Sequence, residues 1–145
     1  MKLFTIIALS LLSLSTQALT DIEVKNATIR VLPPGAPVTS MAMDIRNNSD
    51  KDIKLVSVSG DFAKTFELHT MDMANGMMKM RKVDFIEIKK KSMAQLKSGG
   101  HHIMVFGLKA PVKDTQKYSI ALKFEKHAEI TVEAIGKNEM DNHHH

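Results

Sequence analysis

Beyond the first eighteen positions, apolar residues recur mostly at every second place, the period of a β-strand with one face buried. Met41, Met43 and Ile45 alternate with Ala42, Asp44 and Arg46, and Tyr118, Ile120, Leu122 and Phe124 alternate in the same way. Ile22, Val24, Ala27, Ile29 and Val31 keep the rhythm with one break, which predicts an edge strand carrying a bulge. Three prolines within residues 33–37 end it, because proline cannot continue a ladder. A turn cluster at 47–50 leads to a strand through Ile53, Leu55 and Val58, broken at Gly60-Asp61. Residues 64–69 predict a further strand, with Phe66 and Leu68 on one face and Glu67 and His69 on the other. Asn75-Gly76 is a strong hairpin signal that sends residues 71–73 back against 77–80. Short strands follow at 85–88, 92–96 and 103–108, and a last one at 128–135. No stretch of ten residues sustains a 3.6-residue apolar stripe. Many short strands separated by turns predict an all-β domain, a Greek-key β-sandwich or barrel.

The two ends read differently. Lys2, an apolar run over 3–14 and the small residues around Thr16-Gln17-Ala18 predict a signal peptide cleaved near Ala18. No later apolar run approaches the ~20 residues of a membrane helix, so no membrane span is expected. The chain contains no cysteine, which excludes a lipid-modified Cys after the apolar run as well as any disulfide. The expected organisation is a signal peptide over 1–18, one domain over 19–137 and a tail over 138–145. About 127 residues after cleavage suffice for one core. Losing Lys2 takes the formal charge from +4 to +3. The remaining lysines are scattered, with the densest run at 89–91 read as a solvated strand end or loop, so no nucleic-acid face is expected.

The chemistry lies in histidine and methionine. His102 and Met104 stand two apart in a predicted strand and share a face, as do His69 and Met71, and Met78 and Met80. The Asn75-Gly76 hairpin can bring His69 and Met80 to one end of the sandwich, while Gly99-Gly100 lets the backbone turn just before His102. Imidazole and thioether donors suit Cu(I) better than Zn(II), Mg(II) or Ca(II). The competing reading is packing: five methionines fall between Met71 and Met80, and methionine is a common gap filler in cores. Met41, Met43, Met73, Met77 and Met93 fit it singly, and His101 and His127 read as solvated. At the tail, His143, His144 and His145 are either a natural tract, which would favour Cu(II) over Cu(I), or the remnant of a tag.

Three stretches resemble one family. Glu67-Leu68-His69-Thr70-Met71, Asn75-Gly76-Met77-Met78-Lys79-Met80-Arg81 and Gly99-Gly100-His101-His102-Ile103-Met104 are similar to the metal-binding motif of the PCuAC family, periplasmic copper chaperones. The resemblance runs from about Val24 to Ile135. It implies a cupredoxin-like β-sandwich that binds Cu(I) in the periplasm and helps deliver it to the Cu(A) centre of cytochrome c oxidase. Carried over by position, the expected ligands are His69, Met80, His102 and Met104, with Met71, Met78 and the three tail histidines as auxiliary candidates. The partners it implies are oxidase subunit II or its assembly factors, and a monomer is expected.

Other classes fit less well. A blue-copper site requires a cysteine thiolate, thiol–disulfide chemistry requires cysteine, and no Gly-x-Ser-x-Gly elbow is present, so an enzyme is not expected. A metal-free Ig-like interaction domain remains an alternative. So does a copper storage or tolerance protein without a dedicated acceptor.

Overall fold

The alternation folds into ten strands: β1 (Ile22–Arg30), β2 (Val38–Asn47), β3 (Ile53–Ser59), β4 (Ala63–Ala74), β5 (Met77–Lys82), β6 (Ile86–Ile88), β7 (Ser92–Leu96), β8 (His102–Leu108), β9 (Lys117–Phe124) and β10 (Ile130–Lys137). The computed structural model describes residues 21–139; the expected signal segment and the histidine tail from 140 onwards lie outside them. The strands form one continuous ladder, β5-β4-β8-β2-β1-β10-β9-β3-β6, with β7 added on β2. The ladder folds over itself, so that β3 packs on β4 without pairing to it. Between the layers lies an apolar core that includes Ile29, Met41, Met43, Ile45, Leu55, Ile103, Ile120, Leu122 and Phe124. The all-β sandwich reading therefore holds. Met41 and Met43 are core residues, as their alternation implied. No helix among the described residues is long and apolar enough to cross a membrane.

Two strands depart from the sequence reading. The first was expected at an edge, but β1 lies inside the sheet, antiparallel to β2 and parallel to β10. Its expected bulge is present between Lys25 and Thr28, where Asn26 takes a positive φ of 54°. A broken alternation marks a bulge and carries no information on whether a distant C-terminal strand fills the free edge. The segments 64–69 and 71–73, read separately, are one twelve-residue strand, β4. Its first half pairs with β8 and its second half projects to pair with β5 alone.

One edge of β2 serves two partners in succession. Met43–Asn47 pairs with β7, Val38–Met41 pairs with β8, and the chain between them makes an excursion through residues 97–101. Gly99 at φ 88° allows that excursion, and Lys97 N–H donates to the His101 carbonyl at 2.7 Å to pinch its base. At the far end of β2, fully buried Asn47 donates to the Lys51 and Ile88 carbonyls and accepts from Ser49 N–H and Ser49 Oγ. This side chain ties the 48–52 turn to β6. Nearby, Asp52 accepts from Lys90 N–H at 2.8 Å and faces the Lys89 ammonium, and the backbone bond above all holds its carboxyl below its usual 3.8.

Asn47→Ala removes four hydrogen bonds, one of them to the Ile88 carbonyl in a buried setting, which should cost about 2–4 kcal/mol in denaturant unfolding. A midpoint shift equivalent to a surface substitution would contradict this account. For Asp52 the sign follows from the lowered folded-state pKa. Its stabilisation is present above the ordinary carboxylate range and is lost as pH falls through the folded value. Asp52→Asn should therefore melt below the wild type at pH 7, with the gap closing below pH 3.8.

Candidate metal centre

Strand register assembles the site. β4 and β8 pair antiparallel with His69 directly opposite His102 and Glu67 opposite Met104. β4 and β5 pair with Met71 opposite Met80. Directly paired residues share a face, and so do residues two apart. His69, Met71, Met80, His102 and Met104 therefore all project from one face of the β5-β4-β8 unit. The turn responsible is the expected one: Asn75 and Gly76 both take positive φ, 53° and 74°, the signature of a two-residue type I′ hairpin.

The side chains meet as the register requires. His102 Nε2 lies 3.0 Å from Met80 Sδ, and the two imidazole rings are 5.8 Å apart between centroids. Met71, Met80, His102 and Met104 line a shallow cavity of about 310 Å³, closed on its other walls by residues such as Arg30, Val38, Thr39, Ser98 and Gly99. His69 is buried and is not among the residues that line it. No carboxylate lines the cavity, and among the described residues no three His, Cys, Asp or Glu side chains cluster as metal donors. The donors that converge are neutral and soft, unsuited to a hard dication. Met78 lies farther out on the hairpin, opposite Met73, and His101 is exposed. The three tail histidines fall outside the described residues.

Each imidazole is oriented by a second partner that sequence reasoning left unnamed. His102 Nδ1 is 2.8 Å from the Gly100 carbonyl, which can only accept. The proton therefore sits on Nδ1, and the Nε2 lone pair faces the methionine sulfur. His69 Nε2 is 2.8 Å from a Glu67 carboxylate oxygen, and Lys82 approaches the other oxygen at 3.4 Å. The hydrogen bond from His69, aided by Lys82, pulls the Glu67 carboxyl below its ordinary value, so Glu67 is an acceptor and His69 Nε2 donates. That leaves His69 Nδ1 with its lone pair free. This atom is buried and has no hydrogen-bond partner among the described residues. An unsatisfied buried polar atom costs about 1–3 kcal/mol, a cost that a bound cation would remove. A signal for the Glu67 contact was present: Glu67 and His69 share strand parity. Gly100 gave none, since its carbonyl is aimed by the 97–101 excursion.

The family described as LpqE-like, "Putative lipoprotein LpqE-like", matches residues 22–135. The chain belongs to the LpqE-like family. A relative from Leifsonia xyli subsp. xyli, "Putative lipoprotein Lxx21020", is 30% identical over 104 residues, 71% of this chain. The match spans only 61% of that relative's length. Among solved structures, the LpqE-like chain is similar to the copper-bound PCuAC domain from PmoF2, with a TM-score of 0.71 and 19% identity over 83% of this chain and 96% of that one. It is also similar to the solution structure of CuI-DR1885 from Deinococcus radiodurans, with a TM-score of 0.70 and 31% identity over 86% and 83% of the two chains. These likenesses bear out the PCuAC resemblance and the cupredoxin-like fold that it implied.

The two proton positions can be read directly. In the metal-free LpqE-like protein, imidazole ¹⁵N NMR should show His102 protonated at Nδ1 and His69 protonated at Nε2. Glu67→Gln should disturb the His69 pattern and leave His102 unchanged. The opposite tautomers would mean that the lone pairs do not face the site.

Proposed function

We propose that this LpqE-like protein is a periplasmic Cu(I) carrier whose ligands are His69, Met80, His102 and Met104. The observation that carries the reading is the buried His69 Nδ1, a lone pair without a partner beside a second imidazole whose Nε2 faces a thioether. Imidazole and thioether donors are favourable to Cu(I) and poor for Mg(II) or Ca(II). Support also comes from the 31% identity to a relative solved in a Cu(I) form. Export through a signal peptide over 1–18 accords with the lipoprotein names of the relatives. A monomer is the form in which the open site is free to meet a partner.

The residues divide the work. Glu67 and Gly100 hold the two imidazoles in the tautomers that present a lone pair toward the candidate centre. Met80 is half exposed on the projecting hairpin and can leave the ion first. Ligand-by-ligand exchange with an acceptor then proceeds from the thioether side, while the imidazoles hold the ion longest. That asymmetry favours carriage over storage, for which an enclosed site would serve better. The acceptor implied by the PCuAC resemblance is the Cu(A) centre of cytochrome c oxidase subunit II or one of its assembly factors.

Competition against a Cu(I) chelator tests the ligand set. Met80→Leu, Met104→Leu, His69→Ala and His102→Ala should each weaken binding by more than about tenfold, and Glu67→Gln by roughly tenfold through misorientation of His69. The Met→Leu variants should stay within about 1.5 kcal/mol of wild-type stability. Unchanged affinity in all four ligand variants would refute the assignment. Mixing the Cu(I)-loaded protein with the metal-free soluble domain of oxidase subunit II, followed by NMR, tests delivery; retention of all copper by the carrier would favour storage.

A further inference from the structure

The four ligands leave part of the methionine pattern unexplained. The hairpin of β4 and β5 projects beyond β8, and its outermost rung on the face of the candidate centre is Met73 opposite Met78. Both are exposed, at 68% and 52%, so neither fills a core. They stand two residues outboard of Met71 and Met80, on the same face as the candidate centre. The opposite face is charged: Asp72 is paired across the strands with Lys79, and Arg81 bridges to the Asp72 carboxylate at 2.6 Å. The arm therefore has two unlike faces, Met71, Met73, Met78 and Met80 on one and the ion pairs, with Met77 beside them, on the other.

The turn sharpens the arrangement. A two-residue type I′ turn makes Ala74 and Met77 the hydrogen-bonded pair, and hydrogen-bonded and non-hydrogen-bonded pairs alternate from there. Met73–Met78 and Met71–Met80 are then both non-hydrogen-bonded pairs, in which opposed side chains come closest. Two stacked rungs put four methionines on one face, and the inner two line the cavity that His102 and Met104 also line. Thioethers have no competing proton at neutral pH and bind soft monovalent cations.

We propose that Met73 and Met78, with Met71 inboard of them, form a second, weaker site for a soft monovalent cation, Cu(I) or Ag(I), through which the ion passes to and from the inner centre. This rests on the copper-carrier reading and extends it outward. An ion held at the outer rung exchanges one thioether at a time for Met71 and Met80, then for the imidazoles. No redox step and no change in total charge is involved. The outer site holds the ion less firmly, because it offers thioethers alone and stands open to water.

Ag(I) titration of the full mature chain with ¹³C-methyl-labelled methionine tests the proposal. The Met80 and Met104 methyl signals should shift with the first equivalent, and those of Met73 and Met78 with the second. In His69→Ala/His102→Ala the outer signals should still respond, which separates the two sites. Met73→Leu/Met78→Leu keeps the apolar area and the fold, so it should retain first-equivalent affinity, lose the second equivalent and load from a chelator about tenfold more slowly, as expected when local capture is removed. Outer methyls silent to excess Ag(I) in both backgrounds would overturn the outer site, whatever the inner centre does. A response of the outer methyls with a silent inner centre would instead refute the inner ligand set and leave the outer site standing.

Discussion

The pairing register of β4 is the constraint on which the rest depends. A strand has two faces and a side-chain period of two, so a shift of one residue would move every donor on it to the other side. With His69 opposite His102 and Met71 opposite Met80, one register against β8 and another against β5 place all the donors on one face. The two registers are set independently. The Asn75-Gly76 turn fixes the β5 side by its conformation, since a type I′ turn admits one pairing of its flanks. The β8 side is fixed by burial: Leu68, Ile103 and Val105 must all reach the core.

Around that frame, the second partners of the imidazoles set the chemistry. A neutral histidine offers one lone pair, and which nitrogen offers it depends on where the other nitrogen finds an acceptor. Here the acceptors differ in kind. For His102 it is a backbone carbonyl aimed by the glycine excursion between β7 and β8; for His69 it is a carboxylate neutralised in part by Lys82. Glu67 could have been a hard-metal ligand, but its oxygens are committed to His69 and Lys82. The donors that face the cavity thus stay imidazole and thioether, even though the Glu67 carboxylate is bonded to one of the imidazoles.

Much of this was legible in sequence because it depends on parity. Two-residue alternation marked the strands, and Asn-Gly marked the hairpin. Shared parity oriented His102 with Met104 and His69 with Met71. The edge position of the first strand was misread because pairing with β10 joins residues more than a hundred positions apart, and no local pattern encodes it. The division of β2 between β7 and β8 was hidden for a related reason: alternation is the same whichever strand lies alongside. The Gly100 acceptor lay beyond reach because a loop carbonyl has no side-chain signature. Parity alone also could not separate Met71 from Met80, which face each other across one rung; the family spacing made that distinction.

Burial runs in a gradient along the candidate site, in the direction that the proposed exchange would take. His69 and His102 are buried at the sheet end, whereas Met80 and then Met73 and Met78 become progressively more exposed toward the hairpin tip. The imidazoles are held by hydrogen bonds and packing, so their donor atoms are positioned before any ion arrives. Met71, Met73, Met78 and Met80 have flexible, unbranched side chains on an arm paired only within the hairpin, so they could move with an ion at small cost. A site with all four donors buried would hold its ion against an acceptor, and one with all four exposed would not select it. A rigid half of His69, His102 and Met104 in the sheet, joined to a flexible half on the hairpin, would combine selection with release, and one strand, β4, contributes to both halves because its first part lies in the sheet and its second part does not.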